Sequence, residues 1–142
     1  MKLAARRRHY LREAFFTLCV ARLAVRTIAP ARIFAWAERP PRYICRFAGD
    51  QAAWVAWAVE RASAAPWMKA PCLPRALAAH AMLRRRGIAS RLCLGVARDG
   101  GAFGAHAWVE VGAAKLVGGG EAEAFTRVAQ FGALNVRGET AA

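Results

Sequence analysis

"CLPRALAAHAMLRRRGIASRLCLGVARDGGAFGAHAWVEV", residues 72–111, contains a change of hydrophobic period, and that change decides the fold. Up to Arg86 the stretch reads as one helix, apolar first and arginine-rich at its end, starting near Pro74, a residue suited to the first helical position. Gly87 closes it. Beyond the glycine, "RLCLGVA" sets Leu92, Leu94 and Val96 on one face, the period of a strand. "RDGG" is an Asp-Gly hairpin turn, and "FGAHAWVEV" returns as the second strand. "GAAK" then turns the chain into a third strand at "LVGGG".

Upstream the period is helical. Leu11, Phe15, Leu18, Arg22 and Val25 recur every three or four residues between Tyr10 and Ile28, with Pro30 as the stop. A shorter helical piece over Ile33 to Ala37 ends at "RPPR", because neither Pro40 nor Pro41 continues a helix. A third helix, from Asp50 as N-cap to Ala62, carries Trp54, Val55, Ala58 and Val59 on one side. "ASAAPWMKAP" lays a loop before Cys72, and a polar, frayed tail follows from Val136 to Ala142. The expectation is one α+β domain over 1–142: a helical part over 1–70 and, over 71–135, a helix packed on a small antiparallel sheet.

With 142 residues, 57 % hydrophobic and 22 % charged, the chain is long and apolar enough to fold without disulfides or metals. Its 22 Lys and Arg face 9 Asp and Glu, a net charge of +13, and Lys2, Lys69 and Lys115 are its lysines, so the excess is arginine. Such a surplus favours acidic partners, and the codon usage of a GC-rich genome accounts for it equally well. Cys19, Cys45, Cys72 and Cys93 are far apart, with no C-x-x-C pair, which argues against a disulfide scaffold and a zinc ribbon. The basic start lacks a secretory signal, since Arg12, Glu13 and Arg22 cut its apolar run. No stretch approaches the roughly 20 apolar residues of a membrane span. A soluble cytoplasmic chain with reduced thiols is expected, with no cofactor and no metal.

Cys72, at the mouth of its helix, faces the positive end of the helix dipole and unpaired N–H groups, which favour thiolate over thiol and stand ready for an oxyanion. A small, inert buried cysteine fits the position as well. A thiolate nucleophile needs a base. His9 sits in the arginine-rich leader, and His80 lies about 12 Å along the helix from Cys72 at 1.5 Å per residue, a core or helix-face position. His106, mid-strand among small neighbours, remains, as base or as structural histidine. Glu110 shares its face but is about 13 Å away along an extended strand. If "GAAK" turns tightly, residues 118 to 121 come back opposite His106 and bring Glu121 within reach, as a partner or as a solvated loop acid. The hairpin sets Cys93 roughly across from His106. "LVGGG" lacks the features of a nucleotide-binding loop and reads as a flexible glycine segment.

Cys72 at a helix start followed by a hairpin bearing His106 resembles the transglutaminase-like branch of papain-like cysteine proteases. More narrowly, the Cys-Leu-x-Arg-Ala-Leu helix, the Gly-Val strand and "AHAWVE" resemble the lasso peptide biosynthesis B2 proteins, densely over residues 72 to about 121. The resemblance implies a transglutaminase-like cysteine protease fold and a leader peptidase with a Cys-His-Asp triad. Its function would be to cut the leader from a ribosomal precursor before a macrolactam closes. Carried over, Cys72 is the nucleophile and His106 the base. The family's Asp falls near Gly118 here, so either Glu121 substitutes or the pair works as a dyad with a backbone or water partner. The implied partners are the precursor's leader, a separate B1-type precursor-recognition protein and an ATP-dependent macrolactam cyclase, with neither nucleic acid nor membrane among them. Two other readings stay open: a transglutaminase-like acyltransferase on the same residues, and a non-catalytic basic module for nucleic acid or an acidic peptide.

Overall fold

The computed structural model describes residues 2–45 and 49–132. Its helices are α1 (Leu3–Thr27), α2 (Pro30–Glu38), α3 (Gln51–Ser63), α4 (Cys72–Arg85) and the single turn α5 (Gly119–Ala122). Its strands are β1 (Arg91–Asp99), β2 (Ala102–Val111), β3 (Ala114–Val117) and β4 (Thr126–Gly132). They form one antiparallel sheet in the order β3-β2-β1-β4. Helices packed on a small antiparallel sheet make the α+β architecture read from the change of period at Gly87.

α4 is the central element because it is apolar nearly all round: Pro74, Ala76, Leu77, Ala78, Ala79, His80, Met82 and Leu83 are all buried. Its alanines let α1 and α3 approach on one side and β2 on the other. α1 contributes Tyr10, Ala14, Thr17, Leu18 and Ala21, a buried stripe at three- and four-residue spacing. Its far side leaves Phe16, Val20 and Leu23 exposed. Glu13 ties α1 to the end of α4, accepting from Arg86 at 2.5 Å and from Arg85 at 3.0 Å. Burial pushes the Glu13 carboxyl up, and the two guanidiniums outweigh it, holding the group below its ordinary value. Among the described residues no helix is long and apolar enough to cross a membrane.

Gly87 ends α4 for a definite reason. Its φ is +70°, the Ile88 N–H returns to the Leu83 carbonyl and the Gly87 N–H to that of Arg84, both at 3.0 Å. That is a left-handed helix stop with buried Ile88 as its apolar contact. A Cβ at residue 87 would also run into the Tyr43 ring at 2.6 Å.

The boundaries differ from expectation at several points. α4 begins at Cys72 with Pro71 as cap, and Pro74 falls inside the first turn, where its missing N–H costs nothing. Pro30 opens α2 rather than merely ending α1, and α2 extends to Glu38. Asp50 is the N-cap residue of α3, as expected, but its side chain makes no capping bond: its carboxylate accepts from Arg6 at 2.7 Å and from the Trp54 indole at 2.8 Å. The glycine segment after β3 is not featureless, since it forms α5. β4 completes the sheet beside β1 and sets Phe131 against Phe34 of α2, ring centroids 4.6 Å apart. The tail from Val136 lies outside the described residues.

Candidate active site

The hairpin of β1 and β2 turns through Gly100 and Gly101, both at positive φ, and this fixes the register. Gly95 lies opposite His106, and Cys93 lies opposite Trp108, two residues from the expected pairing. A Cβ at Gly95 would meet the Trp108 ring at 2.8 Å, so the glycine leaves room for that indole beside His106. The imidazole lies between Trp108, at 6.0 Å between centroids, and Phe125, at 5.0 Å. The residue is 5 % exposed, which holds the ring in one orientation.

His106 Nε2 donates to the Gly118 carbonyl at 2.8 Å. A carbonyl only accepts, so Nε2 carries the hydrogen and Nδ1 of the neutral ring is the basic nitrogen. Gly118 reaches this place because β3 is short and φ at residue 118 is +73°. A Cβ there would lie 2.9 Å from the Ala107 carbonyl and 3.2 Å from His106 Nε2, so glycine lets the main chain come this close. The tight return after β2 also brings Glu121 to the ring, with Oε2 3.8 Å from Nδ1. That is an electrostatic contact, too long for a hydrogen bond, from a carboxylate 72 % exposed. The bond that orients the ring is therefore a backbone one.

Cys72 is the first residue of α4, half-buried, a free thiol packed against the main core. No side chain caps this helix. Pro74 has no N–H and that of Arg75 returns to the Pro71 carbonyl, which leaves the N–H groups of Cys72 and Leu73 at the helix mouth. The first turn of α4 connects to His106 through one acidic side chain. Arg75, a turn after Cys72, meets Glu60 of α3 at 3.4 Å, and the other oxygen of Glu60 accepts the Gly118 N–H at 3.1 Å.

The remaining candidates have structural partners. His80 is 1 % exposed, donates from Nε2 to the Ala37 carbonyl at 2.9 Å and accepts the Ser90 hydroxyl at 2.7 Å. Burial pushes its pKa down to about 4. Glu110 is held by the Trp108 indole, Arg91 and Arg127. Cys93 is buried against Trp108 and Ala122, its thiol pushed up to about 11, chiefly by burial. His9 is 62 % exposed and faces Glu13 at 3.9 Å. Sequence reasoning missed Glu60, and it left open a backbone partner near position 118, which the structure places at the Gly118 carbonyl. Glu60 carries no signal beyond following buried Val59 on α3, and a backbone acceptor leaves no residue type to read.

A buried imidazole of fixed tautomer near a helix that begins with cysteine is an arrangement able to support acyl chemistry through a thiolate. The profile of the transglutaminase-like superfamily matches residues 15–130, most of the chain, from α1 to β4. No curated protein and no solved structure matches it. That superfamily commonly includes cysteine peptidases and fits acyltransferases as well. The matched span contains Cys72, His106, Gly118 and Glu121, and the chain belongs to the transglutaminase-like superfamily.

Proposed function

We propose that this protein is a cytoplasmic cysteine endopeptidase that removes the leader from a lasso peptide precursor before macrolactam formation. The observation that carries the reading is the bond from His106 Nε2 to the Gly118 carbonyl, which leaves Nδ1 as a base in the same network as the helix bearing Cys72. Nδ1 takes the thiol proton and the Cys72 sulfur attacks the scissile carbonyl. The N–H groups of Cys72 and Leu73 receive the oxyanion. The imidazolium, with the Glu121 carboxylate nearby, then gives its proton to the departing amine, leaving a thioester. Water, deprotonated by Nδ1, cleaves that thioester and returns the thiol. The products are a leader with a free carboxylate and a core peptide with a free amino terminus, the group a macrolactam-forming cyclase activates against.

The surface supports a separate precursor-recognition protein. Phe16, Val20 and Ile28 line an apolar groove with Arg32, Arg39 and Arg85 among its walls, a match for an acidic segment with apolar anchors. The test is mass spectrometry of a lasso precursor incubated with the protein and its recognition partner. Hydrolysis at the leader junction is the expected product, whereas amine transfer to the acyl group would identify an acyltransferase. Cys72→Ala should stay folded and cleave nothing while Cys93→Ala still cleaves, and the reverse pattern would sink the assignment.

A further inference from the structure

The main-chain carbonyl that orients His106 has no side chain of its own to hold it. Gly118 sits at φ +73° with space for no Cβ, so whatever fixes its peptide must act from another element. Glu60 does so: Oε1 takes the Gly118 N–H at 3.1 Å, on the same residue whose carbonyl takes the imidazole hydrogen at 2.8 Å. Oε2 faces Arg75 at 3.4 Å, within the first turn of the helix that starts at Cys72. One carboxylate on α3 thus links the helix bearing the thiol with the turn that holds the imidazole. The contact with Arg75 holds the carboxylate in place, and a carboxylate acceptor makes the stronger bond to the Gly118 N–H. The carboxylate thus lies on the far side of residue 118 from the imidazole, the ring that takes up a proton in the reaction.

From this geometry we infer that Glu60 is the positioning residue of the site, supplying through the Gly118 main chain the carboxylate that residue 118 itself lacks. The inference rests on the reading of Cys72 and His106 as the reacting pair. Glu60 touches neither of them; it acts through Gly118 on one and through Arg75 on the helix of the other.

The test measures the pair without needing a substrate. The rate of Cys72 alkylation by iodoacetamide is followed by peptide mass spectrometry across pH, beside ¹⁵N NMR of the His106 ring and a thermal melt. Glu60→Gln keeps an acceptor for the Gly118 N–H and removes the charge. It should melt like the wild type, keep the Nε2–H tautomer, and lose about tenfold in neutral-pH alkylation, the scale of one charge-assisted bond. The acid limb of its pH profile should move to higher pH, because the thiolate loses a stabilised imidazolium. Glu60→Ala should lose the tautomer preference as well. If Glu60→Ala fails to fold, Glu60→Gln decides alone. Wild-type alkylation rates and pH profile in a folded Glu60→Gln protein overturn the inference, as does a loss no larger than the loss of folded protein. A wild-type protein that cleaves no precursor, yet shows these effects at Glu60, refutes the peptidase reading and keeps the positioning role. Precursor cleavage untouched in Glu60→Gln does the opposite.

Discussion

The two buried histidines, His80 in α4 and His106 in β2, begin alike and end differently. They are 1 % and 5 % exposed, and each donates from Nε2 to a main-chain carbonyl, that of Ala37 at 2.9 Å and that of Gly118 at 2.8 Å. What separates them is the other nitrogen. Nδ1 of His80 accepts the Ser90 hydroxyl at 2.7 Å, with the Trp36 ring edge-on 5.7 Å from the imidazole. Nδ1 of His106 faces the Glu121 carboxylate at 3.8 Å, too long for a hydrogen bond. Burial and a fixed tautomer therefore do not make a base. A basic nitrogen left unspent by the fold does.

The same substitution at both positions tests this difference most strongly. Glutamine retains an N–H donor for either carbonyl, so His106→Gln should stay folded and lose about a thousandfold in precursor cleavage, the scale of general acid–base catalysis. His80→Gln should keep cleavage and lose stability, by about 1–2 kcal/mol in urea unfolding at neutral pH, for a disturbed buried hydrogen-bond pair. If turnover falls equally in both variants, the two imidazoles do not play separate roles.

A second difference lies in acid. The folded-state pKa of His80 is about 4 against an ordinary 6.5, so below 6.5 the unfolded chain binds the proton first. Its titration costs the fold nothing above that value and lowers stability as pH falls toward 4, by about 3 kcal/mol in total. Glu13 also loses stability in acid but over a lower range: its carboxyl is held below 4.5, so its contribution is present above that value and is lost as pH falls further. Unfolding free energies between pH 6.5 and 5 should therefore slope downward in the wild type and lie flat in His80→Gln. A slope that survives the substitution would assign the acid loss to another group.

How much of this was visible in the residues follows from where the signals are stored. The change from a helical to an alternating period at Gly87, the Asp-Gly turn and the small residues around His106 are local, and they led to the α4 helix, the hairpin and the tight return to residues 118–121. β4 stayed hidden because "TRVAQFG" has no buried alternation: its first three residues are exposed and the last four half-buried. Asp50 takes the N-cap position read for it, yet its side chain does not cap, because capping is a local preference and Arg6, 44 residues earlier, competes for the same carboxylate. Glu60 was illegible, and the backbone partner left open near position 118 could not be assigned to an atom, for a deeper reason. One is a surface acid on a helix whose partner lies 58 residues further along, and the other is an atom every residue has.

The smallest expected effect concerns Glu121, and it decides how the two orienting candidates share their work. A carboxylate 72 % exposed and 3.8 Å from Nδ1 interacts through water as much as across the gap. Pairs of this kind are worth little and fade as salt shortens the screening length. Glu121→Gln should therefore lower precursor cleavage by about fivefold at most at low ionic strength, with the difference shrinking toward nothing in high salt. The tautomer of His106 should not change, because the Gly118 carbonyl sets it. A salt-resistant loss of about a hundredfold or more would reverse the order of importance. It would mean that the carboxylate closes on Nδ1 once substrate excludes water, and that Glu121, rather than the Gly118 carbonyl with Glu60 behind it, is the group the imidazole depends on during the reaction.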